Sequence, residues 1–410
     1  MREPEFIIRD AVDADLPLLR RLFAEEGFSD LSSPAGVRVA ATCDNTMYGA
    51  LRCEQGADGA WYVRPVVVFD AVQRKGVGSA LMEDALSLHA DLRLSSRGGL
   101  GPFYESCGLV KCGWDDIAGE FARECLELCP DRMSCAPQPY RSVVPGYTLT
   151  FLGTSSGCGV PAFFCHCPAC EAARADPSKR RTCTGAVVRG RKTTLLDAPP
   201  DLRVQLVREG IDTIDRFFLT HAHYDHMGGL GELEYFIRLH RKAPLAFSAS
   251  AAAFEEAMKE FSYMRDVFEE DVMEPFSTRA FDGLSFQALP LEHCPGCFGW
   301  LVTTPAGTRT FYAPDTAALK PEVVEALQGV DTLVMDATFW KNVGTHRTHH
   351  LVRDTIDEGL NLLGAGRVVL QHLAPHMCDS SVDEIAEIYK YAQRFDGRVI
   401  VAEDGMELEI

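Results

Sequence analysis

Apolar positions near the start of the chain repeat at two different spacings. Leu16, Leu19, Leu22 and Phe23 recur at helical intervals and predict an amphipathic helix over residues 14–26, after a short strand at 6–9. The apolar run over residues 61–69 reads as a strand, and residues 77–88 as a helix. From residue 147 the pattern changes. Short apolar runs at 147–154, 193–196, 216–220, 308–312, 332–335 and 367–371 alternate with helical stretches, an α/β pattern in which chemistry collects at strand ends. Between the two regions lie Pro137, Pro139, Pro145 and Gly146, a density that argues against a helix or a central strand and places a linker there. Two domains are expected, 1–142 and 146–410.

A length of 410 residues agrees with two or three domains. The net charge of −19 repels phosphate backbones, and neither part hides a basic domain: residues 1–145 hold 15 basic and 22 acidic side chains, the rest 25 and 37. Bulk nucleic-acid binding is therefore excluded. No signal-peptide core follows the mixed charges of Met1 to Glu5, and no apolar window approaches membrane-spanning length, so a cytoplasmic protein without membrane attachment is expected. In that compartment a cluster among the 15 cysteines reads better as a metal site than as disulfides.

Thr220-His221-Ala222-His223-Tyr224-Asp225-His226 follows directly on the apolar run Arg216 to Leu219. Three imidazoles and a carboxylate within six residues of a strand end can converge on a metal, because His offers neutral nitrogen and Asp a hard oxygen. Further single donors stand at other strand ends: His293, Asp315 and His372. This HxHxDH pattern resembles the metallo-β-lactamase superfamily. The resemblance implies an αββα sandwich with two divalent cations, Mn2+ or Zn2+. One would take His221, His223 and His293, the other Asp225, His226 and His372, with Asp315 bridging and Asp225 counted among the catalytic groups. Asp197 and Asp336 are expected to orient ligand histidines from behind.

Cys165, Cys167 and Cys170 form a CxCxxC that can place three thiolates on one structural zinc, which wants a fourth ligand. Together with Gly159-Val160-Pro161-Ala162, Leu289 to His293 and Met335-Asp336, they resemble the phosphoribosyl 1,2-cyclic phosphate phosphodiesterases of the carbon-phosphorus lyase pathway over nearly all of residues 147–410. That resemblance suggests His376 as the fourth zinc ligand, with Cys158 and His166 as substitutes, and His350 as a histidine assisting at the phosphate, with His349 and His346 as neighbours in competition. The cysteine opening also resembles the protein of pyrroloquinoline quinone biosynthesis. Cys294-Pro295-Gly296-Cys297 follows a ligand directly and lacks a thioredoxin-like setting, so it is set aside as a redox motif.

In the first region, Gln73-Arg74-Lys75-Gly76-Val77-Gly78-Ser79 precedes an apolar helix. Its glycines admit a ligand close to the backbone, and amides at a helix N-terminus bind a pyrophosphate. With Gly101 to Leu109 and Phe6 to Ala11, it resembles the GNAT family of N-acetyltransferases over residues 5–115. The resemblance implies an α+β domain, acetyl-CoA on Gln73 to Ser79, and Tyr104 as the acid that protonates the leaving thiolate. No general base stands out, and Cys125, Cys129 and Cys135 carry no assigned site.

The expected fold class is thus α/β: a GNAT-like α+β domain followed by a metallo-β-lactamase sandwich. The expected function is hydrolysis of 5-phosphoribosyl 1,2-cyclic phosphate to ribose 1,5-bisphosphate, fused to acetyl-CoA-dependent acetylation of an unidentified amine. The alternative is another hydrolase of this fold, acting on 2′,3′-cyclic nucleotides or resembling the quinone-biosynthesis protein, with a first domain that only binds acyl-CoA. A homodimer is left open.

Overall fold

The computed structural model describes residues 6–28, 31–144, 146–341, 349–375 and 381–410. Two compact units divide the chain, residues 1–145 with 280–284 and residues 146–279 with 285–410. No helix among the described residues is long and apolar enough to cross a membrane.

The first unit holds β1 (Ile7–Asp10), β2 (Val37–Ala41), β3 (Met47–Gln55), β4 (Trp61–Val68), β5 (Leu92–Ser96), β6 (Leu109–Lys111) and β7 (Gln138–Ser142) in one sheet, ordered β1-β2-β3-β4-β5-β7-β6. Side chains alternate between its faces, as the two-residue strand period requires. Val39, Ala41 and Ala50 meet Leu19, Leu22 and Phe23 of the helix Leu16–Glu25. Their neighbours Ala40 and Leu51 meet Val77, Leu81, Met82 and Ala85 of the helix Val77–Leu88. Each such large side chain contributes up to about 1.5–3 kcal/mol by leaving water. All pairs are antiparallel except β4 with β5, which are joined only at Trp61↔Leu92 and Tyr62↔Arg93. Past Tyr62 the two strands part, and a cavity of about 860 Å³ opens between them.

The segment read as a linker is partly a strand. β7 contains Pro139 and lies between β5 and β6. The sheet tolerates this proline because Pro139 O accepts from Cys112 N–H, so its nitrogen faces the β6 side just past that strand's last residue, and the β5 ladder loses no donor.

In the second unit, β8 (Thr148–Gly153), β9 (Gly185–Arg189), β10 (Thr193–Leu196), β11 (Arg216–Phe218), β12 (Leu245–Ala249) and β13 (Phe268–Val272) join the final strand in the order β13-β12-β11-β10-β9-β8-β21. β14 (Thr278–Phe281), β15 (Leu284–Pro290), β16 (Phe298–Thr303), β17 (Arg309–Ala313), β18 (Thr332–Asp336), β19 (Arg367–Gln371) and β20 (Val399–Val401) form the other sheet in sequence order, and β21 is Glu407–Glu409. Adjacent residues of β11 show how the layers are built. Phe217 faces the helical layer, with Phe247 and Phe254 in one core, while Phe218 turns to the opposite sheet, stacks 4.5 Å from Phe286 and meets Trp300 edge-on at 4.9 Å. The second sheet is covered by Val323 and Leu327, Val352 and Ile356, and Ile388 and Ala392, from three further helices. This is an αββα sandwich. β10 to β12 and β17 to β20 run parallel, so the loops after them gather at one edge.

Candidate metal centre

That edge carries the histidines and carboxylates. His221 follows β11, His293 follows β15, Asp315 follows β17, and His372 follows β19. His223 precedes a single helical turn, Tyr224–Met227, which turns Asp225 and His226 inward. Asp315, 1% exposed, stands at the middle. Its Oδ2 lies 3.2 Å from His221 Nε2, 3.0 Å from His226 Nε2 and 3.6 Å from His293 Nε2, and its Oδ1 lies 3.0 Å from His372 Nδ1. Two donor groups result. His221, His223 and His293 converge with Cys294, and Asp225, His226 and His372 converge with Asp315, the donor atoms of each group lying within 4.8 Å of one another.

A second layer aims the rings. Asp197 accepts from Thr220 N–H at 2.8 Å and from the Thr220 hydroxyl at 2.9 Å, and it binds His226 Nδ1 at 2.9 Å. The Thr220 hydroxyl, having donated to Asp197, accepts from His221 Nδ1 at 3.0 Å. Asp336 works the same way through the Thr338 hydroxyl, 2.6 Å from Asp336 and 2.8 Å from His372 Nδ1. These contacts aim Nε2 of His221 and His226 at Asp315 and Nε2 of His372 at Asp225, 3.4 Å away. The loop after β8 lies against Asp225, where a Cβ at Gly157 would stand 3.0 Å from Asp225 Oδ2 and would push that carboxylate by a few tenths of an ångström. Asp197 and His372 hold left-handed backbone angles, φ +62° and +61°. Strain of this kind in non-glycine residues is a common mark of functional sites.

The donors suit divalent cations. His221 Nε2, His226 Nε2 and Asp315 Oδ1 are buried without a hydrogen bond among the described residues; their close neighbours lack hydrogen-bond geometry. Buried polar atoms are ordinarily paired, and a cation would satisfy these three. Burial, with His226 adding to it, pushes His221 down to about 3, which keeps its nitrogen free of a proton. Burial raises Asp225, but the surrounding His226 and His372 outweigh it and hold the carboxyl well below its ordinary range.

Residues 192–373 match the beta-lactamase superfamily domain. An alignment 224 positions long, covering 46% of this chain and 72% of Coenzyme PQQ synthesis protein B of Azoarcus sp., is 30% identical. Through its second unit the chain belongs to the metallo-β-lactamase superfamily. Among solved structures, a diphosphatase from the PhnP family superposes with a TM-score of 0.55 at 25% identity, over 64% of this chain and 97% of that one. Zn2+-bound PqqB from Methylobacterium extorquens superposes at 0.54 and 21% identity, over 64% and 100%, a likeness of fold. An 82-residue stretch, 20% of this chain, is 39% identical to Octanoyltransferase of Porphyromonas gingivalis and spans only 17% of that protein.

In the metallo-β-lactamase unit, His350 does not occupy the place expected of it. It is 3% exposed, with Nδ1 on Thr316 O at 2.8 Å and Nε2 on Glu358 at 2.9 Å, so both ring nitrogens are spent on structure. His349 faces the centre instead. Its Nδ1 lies 2.9 Å from Asp336 and 3.5 Å from Asp315, and its ring lies 4.8 Å from that of His293. Cys294 was likewise missed, although it adjoins a ligand position and shares its turn.

Cys165, Cys167 and Cys170 form a separate donor group, away from that edge. The helix Pro168–Ala175 starts directly after Cys167, which brings Cys170 back over the first turn. His166 turns outward to Glu171, 2.7 Å away, and does not complete the group. His376 and His346 lie outside the described residues.

In the first unit, Gln73 Nε2 donates to Val68 O and Asp70 Oδ1, and Lys75 Nζ donates to Ala71 O. Arg74 and Gly76 take left-handed angles, φ +61° and +83°, and Val77, Gly78 and Ser79 form the first turn of the following helix. Gln73 and Tyr104 line the same cavity between β4 and β5, and burial pushes the Tyr104 hydroxyl up to about 12. Cys125, Cys129 and Cys135 line it too, but among the described residues they form no metal-ligand group.

Proposed function

We propose that the metallo-β-lactamase unit is a divalent-metal phosphoric diester hydrolase that opens 5-phosphoribosyl 1,2-cyclic phosphate to ribose 1,5-bisphosphate in phosphonate breakdown. The observation that carries this reading is Asp315, one carboxylate reaching both donor groups at the shared edge. The likeness to a PhnP-family diphosphatase supports phosphorus as the point of attack. Two divalent cations, Mn2+ or Zn2+, would supply Lewis acidity and a nucleophile at neutral pH.

The chain's own groups hold and deliver the proton. Asp336 fixes His349 through Nδ1, which leaves Nε2 to protonate the leaving ribose oxygen. His349→Asn should therefore lower kcat by about 10²- to 10⁴-fold with little change in melting temperature. His350→Asn should do the reverse, costing about 1–3 kcal/mol of stability, chiefly through the buried Thr316 O left unpaired, while sparing kcat. Parallel kinetics and melting curves of the two variants separate these roles.

The 30% identity to Coenzyme PQQ synthesis protein B favours a second reading, another hydrolase of this fold that resembles the quinone-biosynthesis protein. Incubating the purified protein with the ribose cyclic phosphate, and following product by phosphorus NMR, decides between them. Formation of ribose 1,5-bisphosphate is expected. No turnover of any cyclic phosphate by metal-loaded protein would remove the phosphodiesterase reading.

For the first unit we propose acetyl-CoA-dependent N-acetylation of a small amine. The support is the parting of β4 from β5, which leaves backbone groups of β4 without a strand partner on that side, beside the turn Gln73 to Ser79 that opens a 12-residue helix. Exposed amides at a helix start suit a pyrophosphate. Gly76→Glu places a carboxylate there and forces a side chain onto a left-handed backbone, at about 1–2 kcal/mol. It should abolish acetyl-CoA binding in calorimetry and leave cyclic phosphate hydrolysis unchanged.

A further inference from the structure

We propose that Cys294 is a thiolate ligand of the cation held by His221, His223 and His293, which makes that position a site for a soft divalent metal such as zinc, whereas the Asp225 position takes harder ions as well. The inference rests on the two-metal reading above and specifies its metal.

Three observations carry it. The Cys294 sulfur and the three imidazole nitrogens lie within 4.8 Å of one another, near enough for all four to reach one cation. Both thiols of the CxxC are free, yet they are used differently. Cys294 joins the histidine group, whereas Cys297 is 2% exposed, packs in the core behind, and lies 3.9 Å from Asp315 O. The turn is also fixed from outside: Cys297 N–H donates to Cys294 O at 3.2 Å, Leu291 N–H to Cys297 O at 3.0 Å, and the Ser250 hydroxyl to Gly296 O at 2.7 Å.

The two positions then differ in chemistry. Three neutral imidazoles and one sulfur favour zinc, cobalt or cadmium over manganese, while Asp225 and Asp315 give the other position hard oxygens. On binding, the Cys294 thiol releases its proton to solvent, its sulfur lone pair forms the metal bond, and no electron is transferred.

The test loads full-length protein with Co2+ and records thiolate-to-cobalt charge transfer, beside metal content. Parent protein should show two components. Cys167→Ser should remove the one from the CxCxxC group, and Cys294→Ser the other. Zinc affinity at the active site should fall in Cys294→Ser by at least the about 10- to 100-fold that follows loss of a ligand's outer partner. Cadmium NMR of the unmutated protein gives the same answer without a variant, through one resonance in the mixed nitrogen and sulfur range. If Cys294→Ser leaves the spectrum intact and cadmium reports only all-sulfur and sulfur-free environments, while His221→Asn still removes active-site metal, the ligand assignment is overturned and the two-metal centre stands. If His221→Asn also leaves metal content unchanged, the two-metal reading itself fails.

Discussion

Asp315→Ala should lower cyclic phosphate hydrolysis by about 10³-fold or more, because several kcal/mol of transition-state stabilisation by paired cations corresponds to at least that factor. Asp315 is the one carboxylate, among the described residues, within 3.6 Å of histidines from both donor groups. Without it, His226 keeps Asp197 and Asp225, and His372 keeps Thr338 and Asp225, so each ring stays anchored while the link between the groups is lost. The fold should survive, since the cores on either side of the sheets do not depend on this side chain. Circular dichroism matching the parent, with activity gone and less than the parent's metal, is the expected combination. Near-parent turnover at full metal loading would show that Asp315 bridges nothing.

Cys167→Ser should have the largest effect on stability. Cys167 and Cys170 are 2% and 0% exposed and pack with Ala162 and Ala169 in a small cluster of their own, touched at its margin by Ile385. So small an apolar cluster holds the loop after β8 poorly by itself. Metal binding there is folding free energy, and its loss should remove one zinc per chain. Each kcal/mol lost shifts the melting temperature by about 2–4 °C in a domain of this size, so a fall of roughly 6–12 °C is expected for about 3 kcal/mol. The same loop carries Gly157 against Asp225, so hydrolysis should weaken as well. Equal zinc content and an equal melting curve would defeat the structural-zinc assignment.

What the sequence made legible was local. The helix Val77–Leu88 and the strands Thr193–Leu196 and Arg367–Gln371 fall where the apolar pattern puts them, because each is bounded by abrupt changes in polarity. The HxHxDH run is legible because donors at short spacing after a strand have one place to go. Choosing between His349 and His350 was not possible that way. They are neighbours on an irregular segment, where no period tells which ring turns inward, and the partners that decide it, Glu358 and Asp336, come from other elements. β7 escaped notice because its proline is harmless only where β6 happens to end, a fact of the sheet and not of the segment. Cys294 escaped because a CxxC invites a choice between redox pair and bystander, while its closeness to His221 and His223 depends on how β11 and β15 end at one edge.

Metal content per chain, measured by mass spectrometry on zinc-reconstituted parent and Cys167→Ser, tests the central claim most directly. The three donor groups built on Asp315, His293 and Cys167 predict about three zinc ions in the parent and about two in the variant, since only the cysteine group is lost. One zinc or fewer in the variant, in well-folded protein, would contradict a two-metal centre at the sheet edge.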